Sequence, residues 1–169
     1  MFDKKAIPRN LSRHLYYANL PQTPAQTILE VGLDAGLSLD GWKQFFGPAA
    51  TIFGIDITFE NLKIDPLRYN IFEISSTDKI ALANAFHPHQ FDIIIDDGSV
   101  SKKYLTFCCL EPYLKPGGKY IIETLLHQTH AIHLYQQIQQ HYAHLKSFMV
   151  VDVNEQLIVI EKPGASGGS

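Results

Sequence analysis

Two short apolar segments, each running into glycine or acidic residues, constrain the fold of this chain more than any other feature. The first covers residues 27–38 and reads TILEVGLDAGLS, and the second covers residues 53–56 and reads FGID. Together they predict a buried strand, a glycine turn, a helix and a second buried strand that ends in an acid. Parallel α/β sheets build nucleotide sites from this order of elements, at the carboxyl ends of their strands.

The residues of the glycine turn indicate which kind of nucleotide fits. Gly32 and Gly36 let the backbone approach a ligand without an intervening Cβ, and Asp56 is placed to accept hydrogen bonds from two ribose hydroxyls. Asp34 stands where the dinucleotide fingerprint has its middle glycine, and an acid there would repel a pyrophosphate. The pattern disfavours a nicotinamide-dependent oxidoreductase and favours a phosphate-free, positively charged cofactor such as S-adenosylmethionine.

The rest of the chain continues the alternation of strands and helices. Buried strands are predicted at 28–31, 51–55, 71–74, 91–95 and 119–122, and helices at 9–20, 38–46, 77–86, 101–114 and 125–142. The apolar runs 144–151 and 156–161 are separated by DVNE and predict a terminal hairpin. The expected fold is α/β: a Rossmann-like, doubly wound, seven-stranded sheet, mostly parallel, with a C-terminal antiparallel hairpin.

Length and composition limit the organisation and the partners of the chain. With 169 residues, of which 46% are hydrophobic, it predicts a single domain over 1–162, residues 1–22 forming a helical cover and 163–169 a flexible tail. A net charge of -3 with scattered basic residues argues against nucleic acid. The absence of a long apolar run argues against a membrane span or signal peptide. The adjacent Cys108 and Cys109 are expected to be free thiols in the cytoplasm.

Four segments carry a resemblance to a known superfamily: ILEVG at 28–32, GID at 54–56, FDIIIDDGS at 91–99 and LKPGGKYIIE at 114–123. On these the chain resembles class I S-adenosylmethionine-dependent methyltransferases over nearly its whole length. More narrowly, GLSLDGW at 36–42 together with IDDGS at 95–99 is similar to the macrolide sugar O-methyltransferases and their cephalosporin-hydroxylase-like relatives.

The resemblance implies a set of cofactor-binding residues. The methionine part of S-adenosylmethionine would contact Glu30 and the loop from Gly32 through Gly36 to Ser38. Asp56 would bind the ribose, and Ile57 follows it as a further cofactor-binding position. Ser75 and Ser76 would contact the adenine. Asp96 ends the fourth strand, where the methyl group would be presented.

The chain departs from the resembling family at its catalytic positions. Those enzymes follow the Asp-Asp-Gly-Ser run with a histidine base and carry a Glu-Asp pair after the fifth strand, whereas this chain has Val100 and Thr124 at those places. Asp97 and Glu123 remain, and the resemblance implies that these two bind Mg²⁺ with help from substrate oxygens. Asp97 is also a catalytic candidate, and the replacement bases are His127 and His14.

The expected function is methyl transfer to an oxygen or nitrogen of a specialised metabolite. Only about twenty N-terminal residues remain to cover the site. The acceptor is therefore expected to be large or carrier-bound, or else a partner chain or a second copy is expected to complete the site. Tyr16 and Tyr17 either pack over the adenosine or close the sheet edge. The alternative function is a non-catalytic, methyltransferase-like module that serves a partner protein, since Val100 and Thr124 replace catalytic residues.

Overall fold

The computed structural model describes residues 11–23, 25–125, 127–151 and 156–164, with the backbone alone given at 11–14 and 151. Over these ranges the chain forms a seven-stranded sheet covered by helices on both faces. The strands are β1 Thr27–Val31, β2 Thr51–Asp56, β3 Asn70–Glu73, β4 Phe91–Asp96, β5 Leu114–Leu125, β6 Lys146–Val151 and β7 Gln156–Glu161. The helices are α1 Leu11–Ala18, α2 Leu37–Phe46, α3 Lys79–Ala85, α4 Lys103–Leu110 and α5 Gln128–His141.

The strand order is β3-β2-β1-β4-β5-β7-β6. The first five strands pair in parallel, and β7 lies antiparallel between β5 and β6. This confirms the predicted fold class, although residues 152–155, which join the last two strands, lie outside the described ranges. Strands are added to one side of β1 up to β3 and to the other side from β4 onward, so the strand order reverses between β1 and β4. Ligands of such sheets bind at this switch point.

The sheet separates two hydrophobic cores, because successive residues of a strand point to opposite faces. Ile28 and Ile121 pack with Trp42 on the face that carries α1 and α2. Leu29 and Ile122 pack on the other face, where α3, α4 and α5 lie. The continuous apolar runs of β1 and β4 follow from burial on both faces.

Three elements differ from their predicted bounds by three residues or more. The helix predicted at 101–114 is shorter: α4 ends at Leu110, and a 3₁₀ turn that contains Pro112 follows, because proline cannot donate the next helical hydrogen bond. Strand β5 is longer at both ends than 119–122, since Leu114 pairs with Phe91 and Leu125 pairs with Gln156. The last helix therefore begins at Gln128 instead of 125.

Other predictions concern regions that the structure describes only in part. Residues 1–10 of the predicted cover and 165–169 of the predicted tail lie outside the described ranges, so the domain limits stay predictions. None of the helices in the described part of the chain has the length and apolar character that crossing a membrane requires.

Candidate active site

A cavity of about 560 Å³ opens at the carboxyl ends of β1, β2 and β4. This volume falls in the range of small-molecule sites, roughly 300–1,000 Å³. The turn between β1 and α2 forms one wall, the residues after β2 form a second and the residues after β4 form a third. The lining residues are Glu30, Gly32, Leu33, Asp34, Ala35, Gly36, Leu37, Ser38, Asp56, Ile57, Thr58, Asn61, Asp97, Gly98 and Ser99.

The turn after β1 depends on backbone conformations that glycine adopts at low cost. Gly32 and Gly36 have φ angles of 83° and 74°, and Asp34 also has a positive φ of 46°. A Cβ on Gly32 would lie 2.8 Å from the Cα of Gly98, so this glycine lets the two loops meet. The amide of Gly32 donates to the Ile55 carbonyl at 2.9 Å, which joins the turn to β2.

Asp56 fixes the turn from the end of the neighbouring strand. Its Oδ2 accepts hydrogen bonds from the amides of Leu33 at 2.6 Å and Asp34 at 3.1 Å. Its Oδ1 accepts from the amide of Ile57 at 2.6 Å. Asp56, the residue predicted to bind the ribose, thus also holds the loop that faces the cavity. The sequence pattern did not predict these hydrogen bonds to the loop.

Glu30 is a buried carboxyl at the end of β1, with 3% of its surface exposed. Ser38, at the start of α2, donates to its Oε2 at 2.7 Å. Burial raises the pKa of Glu30 to about 8, the hydrogen bond from Ser38 opposes this shift, and the charges of Glu123 and Asp97 add to it. A cation bound in the cavity would favour the ionised form, so this wall is suited to a positively charged ligand.

The charges of two further acids act on Glu30, one directly after β4 and one in β5, and we call Glu30, Asp97 and Glu123 the acid cluster. Asp97 is exposed and accepts a hydrogen bond from the Thr124 hydroxyl. Glu123 is only 1% exposed and accepts a hydrogen bond from the Tyr17 hydroxyl. Within the described ranges, no three His, Cys, Asp or Glu side chains are grouped so that they could hold a metal ion.

Asp96, predicted as a cofactor ligand, does not line the cavity. It is 1% exposed, and its Oδ1 lies 3.1 Å from the Nζ of Lys103. Tyr120 donates to Oδ2 at 3.2 Å, and the amide of Gly98 donates to Oδ1 at 3.1 Å. Burial raises the pKa of Asp96, while the Lys103 ammonium opposes the shift. The structure therefore places Asp96 in an internal ion pair beneath the loop after β4.

The predicted adenine-contacting serines also lie outside the cavity lining. Ser75 Oγ is 3.1 Å from the Thr77 hydroxyl, and Ser76 Oγ is 3.0 Å from the Thr106 hydroxyl. Ile57, in contrast, lies at the cavity rim with 66% of its surface exposed. The binding roles of these residues remain predictions.

Of the two histidines proposed as bases, the structure describes the side chain of His127 and not that of His14. His127 is exposed at the start of α5, where its ring lies 5.5 Å from that of His130, and neither lines the cavity. His14 belongs to α1, but its side chain lies outside the described residues. Of the two catalytic candidates whose side chains are described, Asp97 lines the cavity and His127 does not.

Sequence reasoning missed three contacts that shape the site. Lys103 pairs with Asp96, Thr124 bonds Asp97, and Tyr17 bonds Glu123. Lys103 lies seven residues after its partner, across a loop with no regular spacing. Tyr17 lies 106 residues from Glu123, so no local pattern could pair them. The apolar residues of α1 and of the turn after it, among which Tyr17 and Leu20 are buried, were the available signal.

The fold is that of the class I S-adenosylmethionine-dependent methyltransferases. The MycE methyltransferase of the mycinamycin biosynthetic pathway, solved in complex with Mg and S-adenosylhomocysteine, matches with a TM-score of 0.64. The match is 23% identical in sequence and covers 95% of this chain and 50% of that one.

The sequence itself is similar to O-methyltransferases of specialised metabolites. It is 36% identical over 110 residues to mycinamicin VI 2''-O-methyltransferase of Micromonospora griseorubida, covering 58% of this chain and 27% of the relative. It is 34% identical over 113 residues to 8-demethyl-8-alpha-L-rhamnosyl tetracenomycin-C 2'-O-methyltransferase of Streptomyces olivaceus, covering 60% and 29%. The chain thus spans less than a third of these relatives. No protein-family model matches it. The predicted resemblance to the macrolide sugar O-methyltransferases is confirmed.

Proposed function

We propose that this protein is an S-adenosylmethionine-dependent methyltransferase that acts on an oxygen of a specialised metabolite, with a nitrogen acceptor as the alternative. The observation that carries the proposal is the charge of the cavity. Its described lining contains Glu30, Asp34, Asp56 and Asp97 but no Lys, Arg or His. Such a wall repels the pyrophosphate of a dinucleotide and attracts a sulfonium and an ammonium group. The activities of the relatives favour catalysis over a purely binding role.

The residues present fit this cofactor. Asp56 would accept hydrogen bonds from the ribose, while the glycine turn from Gly32 to Gly36 leaves the backbone open to the ligand. Glu30 and Ser38 would face its amino-acid part, and the Glu30 carboxylate would balance its positive charge. These assignments are supported by the cavity lining and by the similarity to methyltransferases.

The chemistry requires little beyond placement. When bound, the cofactor supplies a methyl group on a sulfonium, which departs as a neutral thioether when the acceptor attacks in line. Asp97 is the catalytic candidate that lines the cavity. For a hydroxyl acceptor, Asp97 would take the proton as the new carbon–oxygen bond forms. An amine acceptor would attack as the neutral base and lose its proton afterwards.

Magnesium accompanies the structurally similar MycE, but the described residues of this chain do not form a comparable site. Asp97 and Glu123 each accept a hydroxyl hydrogen bond, and Thr124 stands where the resembling family has a second acid. The proposed transfer therefore uses no metal ion.

The open rim of the cavity indicates what kind of acceptor or further partner fits there. Leu37 and Ile57 are 64% and 66% exposed there, so an apolar surface surrounds the acidic interior. Such a rim supports a large or carrier-bound acceptor, or a partner chain or second copy that covers it.

The two free cysteines, Cys108 and Cys109, support a reducing, cytoplasmic setting.

Isothermal titration with S-adenosylhomocysteine tests the proposal, and NADH serves as the control ligand. We expect micromolar binding of the nucleoside and none of NADH. Asp56→Asn should weaken binding at least about tenfold, because it removes a charged acceptor. Asp92→Asn is the matched control: Asp92 also accepts a backbone amide, from Thr27 at 2.7 Å, but lies at the opposite end of the sheet. Binding of NADH in place of S-adenosylhomocysteine would refute the proposal.

A further inference from the structure

The carboxylates at the ends of β4 and β5 are each engaged by a hydroxyl group of the protein. The Tyr17 hydroxyl of α1 donates to Oε1 of Glu123, and the Thr124 hydroxyl donates to Oδ1 of Asp97. In the resembling family these two positions belong to a metal site. Here, hydrogen bonds take up an oxygen of each carboxylate.

Glu123 is enclosed by the described residues around it, and one of its oxygens is engaged by the Tyr17 hydroxyl. Mg²⁺ prefers six oxygen ligands and normally keeps several of its waters. Glu123 is 1% exposed and Tyr17 is 7% exposed. The Tyr17 ring also packs on Trp42, with ring centroids 5.0 Å apart. The Tyr17 hydroxyl therefore occupies the place on this carboxylate that an ion would need, and an ion could bind there only if this hydroxyl were absent.

The backbone at Thr124 supports the same assignment. Thr124 has a φ of 58°, an uncommon value for a β-branched residue. The register between β5 and β7 shifts at this place, between Ile122 and Leu125. Strained residues of this kind persist where the surrounding structure holds them, and they occur often at functional sites. At Thr124 the strained backbone accompanies a side chain that bonds Asp97.

We propose that the Tyr17 and Thr124 hydroxyls take the place of a divalent cation at Asp97 and Glu123, so that this protein transfers methyl groups without a metal ion. Tyr17 is then a positioning residue: it holds Glu123 and ties α1 to the acid cluster. Asp97, the exposed member, stays available to the acceptor. The inference rests on the proposed function for its catalytic meaning, but the metal-binding part can be tested independently.

The test is a titration of the full chain with Mn²⁺, followed by electron paramagnetic resonance, with and without S-adenosylhomocysteine. We expect the wild type to bind Mn²⁺ no more tightly than on the order of 1 mM, as for an incomplete oxygen site. Tyr17→Phe removes the hydroxyl from Glu123 and should tighten Mn²⁺ binding at least about tenfold, which a purely structural role would not do. Tyr16→Phe is the matched control, because the neighbouring Tyr16 hydroxyl has no hydrogen-bond partner among the described residues.

Two results would overturn the inference. One is Mn²⁺ binding by the wild type below about 0.1 mM that is lost in Glu123→Gln, on the scale of known oxygen-ligand sites. The other is a folded Tyr17→Phe protein whose Mn²⁺ affinity equals that of the wild type. If Tyr17→Phe does not fold, the comparison of wild type with Glu123→Gln still decides. A failure of S-adenosylhomocysteine to bind would count against the proposed function alone. The titration with Mn²⁺ in the absence of S-adenosylhomocysteine tests the metal-binding part of the inference by itself.

Discussion

Gly32 lies where the end of β1 meets the loop after β4, and both its backbone angle and its surroundings exclude a side chain. Its φ is 83°, and a Cβ would lie 2.8 Å from Gly98 Cα and 2.9 Å from the Asp97 carbonyl oxygen. Both neighbours are backbone atoms, so neither can move aside as a flexible side chain would. The loop with Asp97 therefore sits against the glycine turn because position 32 lacks a Cβ.

We expect Gly32→Ala to lower the free energy of unfolding by roughly 2–5 kcal/mol and to abolish S-adenosylhomocysteine binding, because it adds a clash to an unfavourable φ. Gly117→Ala is the control: Gly117 has a φ of 79°, but a Cβ there would meet only Gly164, at 3.9 Å. That variant should lose about 1 kcal/mol and keep binding. Chemical denaturation and calorimetric titration measure both effects. Equal losses in the two variants would contradict the clash as the cause.

Glu30 should make stability depend on pH. Its folded-state pKa of about 8 lies above the ordinary value of 4.5, so the folded protein keeps a proton that the unfolded chain releases in this interval. The free energy of unfolding therefore falls as pH rises from about 4.5 to about 8. Glu30→Gln cannot ionise. Its stability relative to the wild type should rise by up to about 5 kcal/mol over this range.

Urea denaturation at several pH values measures the difference between the Glu30→Gln variant and the wild type. The exposed Glu60 gives the control variant Glu60→Gln, which should track the wild type. A Glu30→Gln curve parallel to that of the wild type would show that the buried carboxyl does not hold its proton.

At the scale of elements, the connection between β4 and α4 is held by the buried pair of Asp96 and Lys103. The Lys103 ammonium also donates to the Asp96 carbonyl at 2.6 Å, and its side chain is 1% exposed. An ionised pair at this depth needs both partners, because either charge alone would be buried without compensation. The loop with Asp97 and Gly98 lies between them in sequence, so the pair fixes one wall of the cavity.

Lys103→Met should cost roughly 3–5 kcal/mol of stability, since it strands the Asp96 carboxylate. The double variant Lys103→Met with Asp96→Asn should recover part of that loss. Lys102→Met changes the adjacent exposed lysine and should alter stability by less than about 0.5 kcal/mol. Thermal and urea unfolding compare the four proteins. A double variant less stable than Lys103→Met would argue against an isolated charge as the cause.

The same elements show what sequence alone could predict. Continuous β-branched runs such as 91–95 identify buried strands, and the glycine turn with Asp56 identifies the cavity. The length of β5 could not be predicted from the sequence, because Pro and Gly at 116–118 favour a turn. In the structure, pairing with β4 and β7 extends the strand at both ends. Asp96 and Asp97 look alike in sequence, and only the alternation of the strand places one inside and the other at the cavity.

For the molecule as a whole, one sheet supports two cores that cannot be lost separately. Neighbouring residues of β1, such as Ile28 and Leu29, belong to opposite cores. Loss of packing on one face therefore removes support from the strands that form the other. The single tryptophan, Trp42, reports on the face of α1 and α2, while Cys109 is buried on the opposite face.

We expect both faces to unfold in one transition. Trp42 fluorescence and the thiol reactivity of Cys109, measured in a Cys108→Ser background, should give urea midpoints that agree within error. S-adenosylhomocysteine at about 100 times its dissociation constant should raise the free energy of unfolding from both probes by the same amount, about 2.7 kcal/mol. Exposure of Cys109 at lower urea than the Trp42 transition would show that α4 opens on its own.

Asp56 has a consequence for the time course of binding. Because its carboxylate already accepts the amides of Leu33, Asp34 and Ile57, the loop is held in one shape before a nucleoside arrives. Little ordering entropy then remains to be lost on association. Encounter with the open cavity should set the arrival rate, and ligands that fit well or badly should differ mainly in how long they stay.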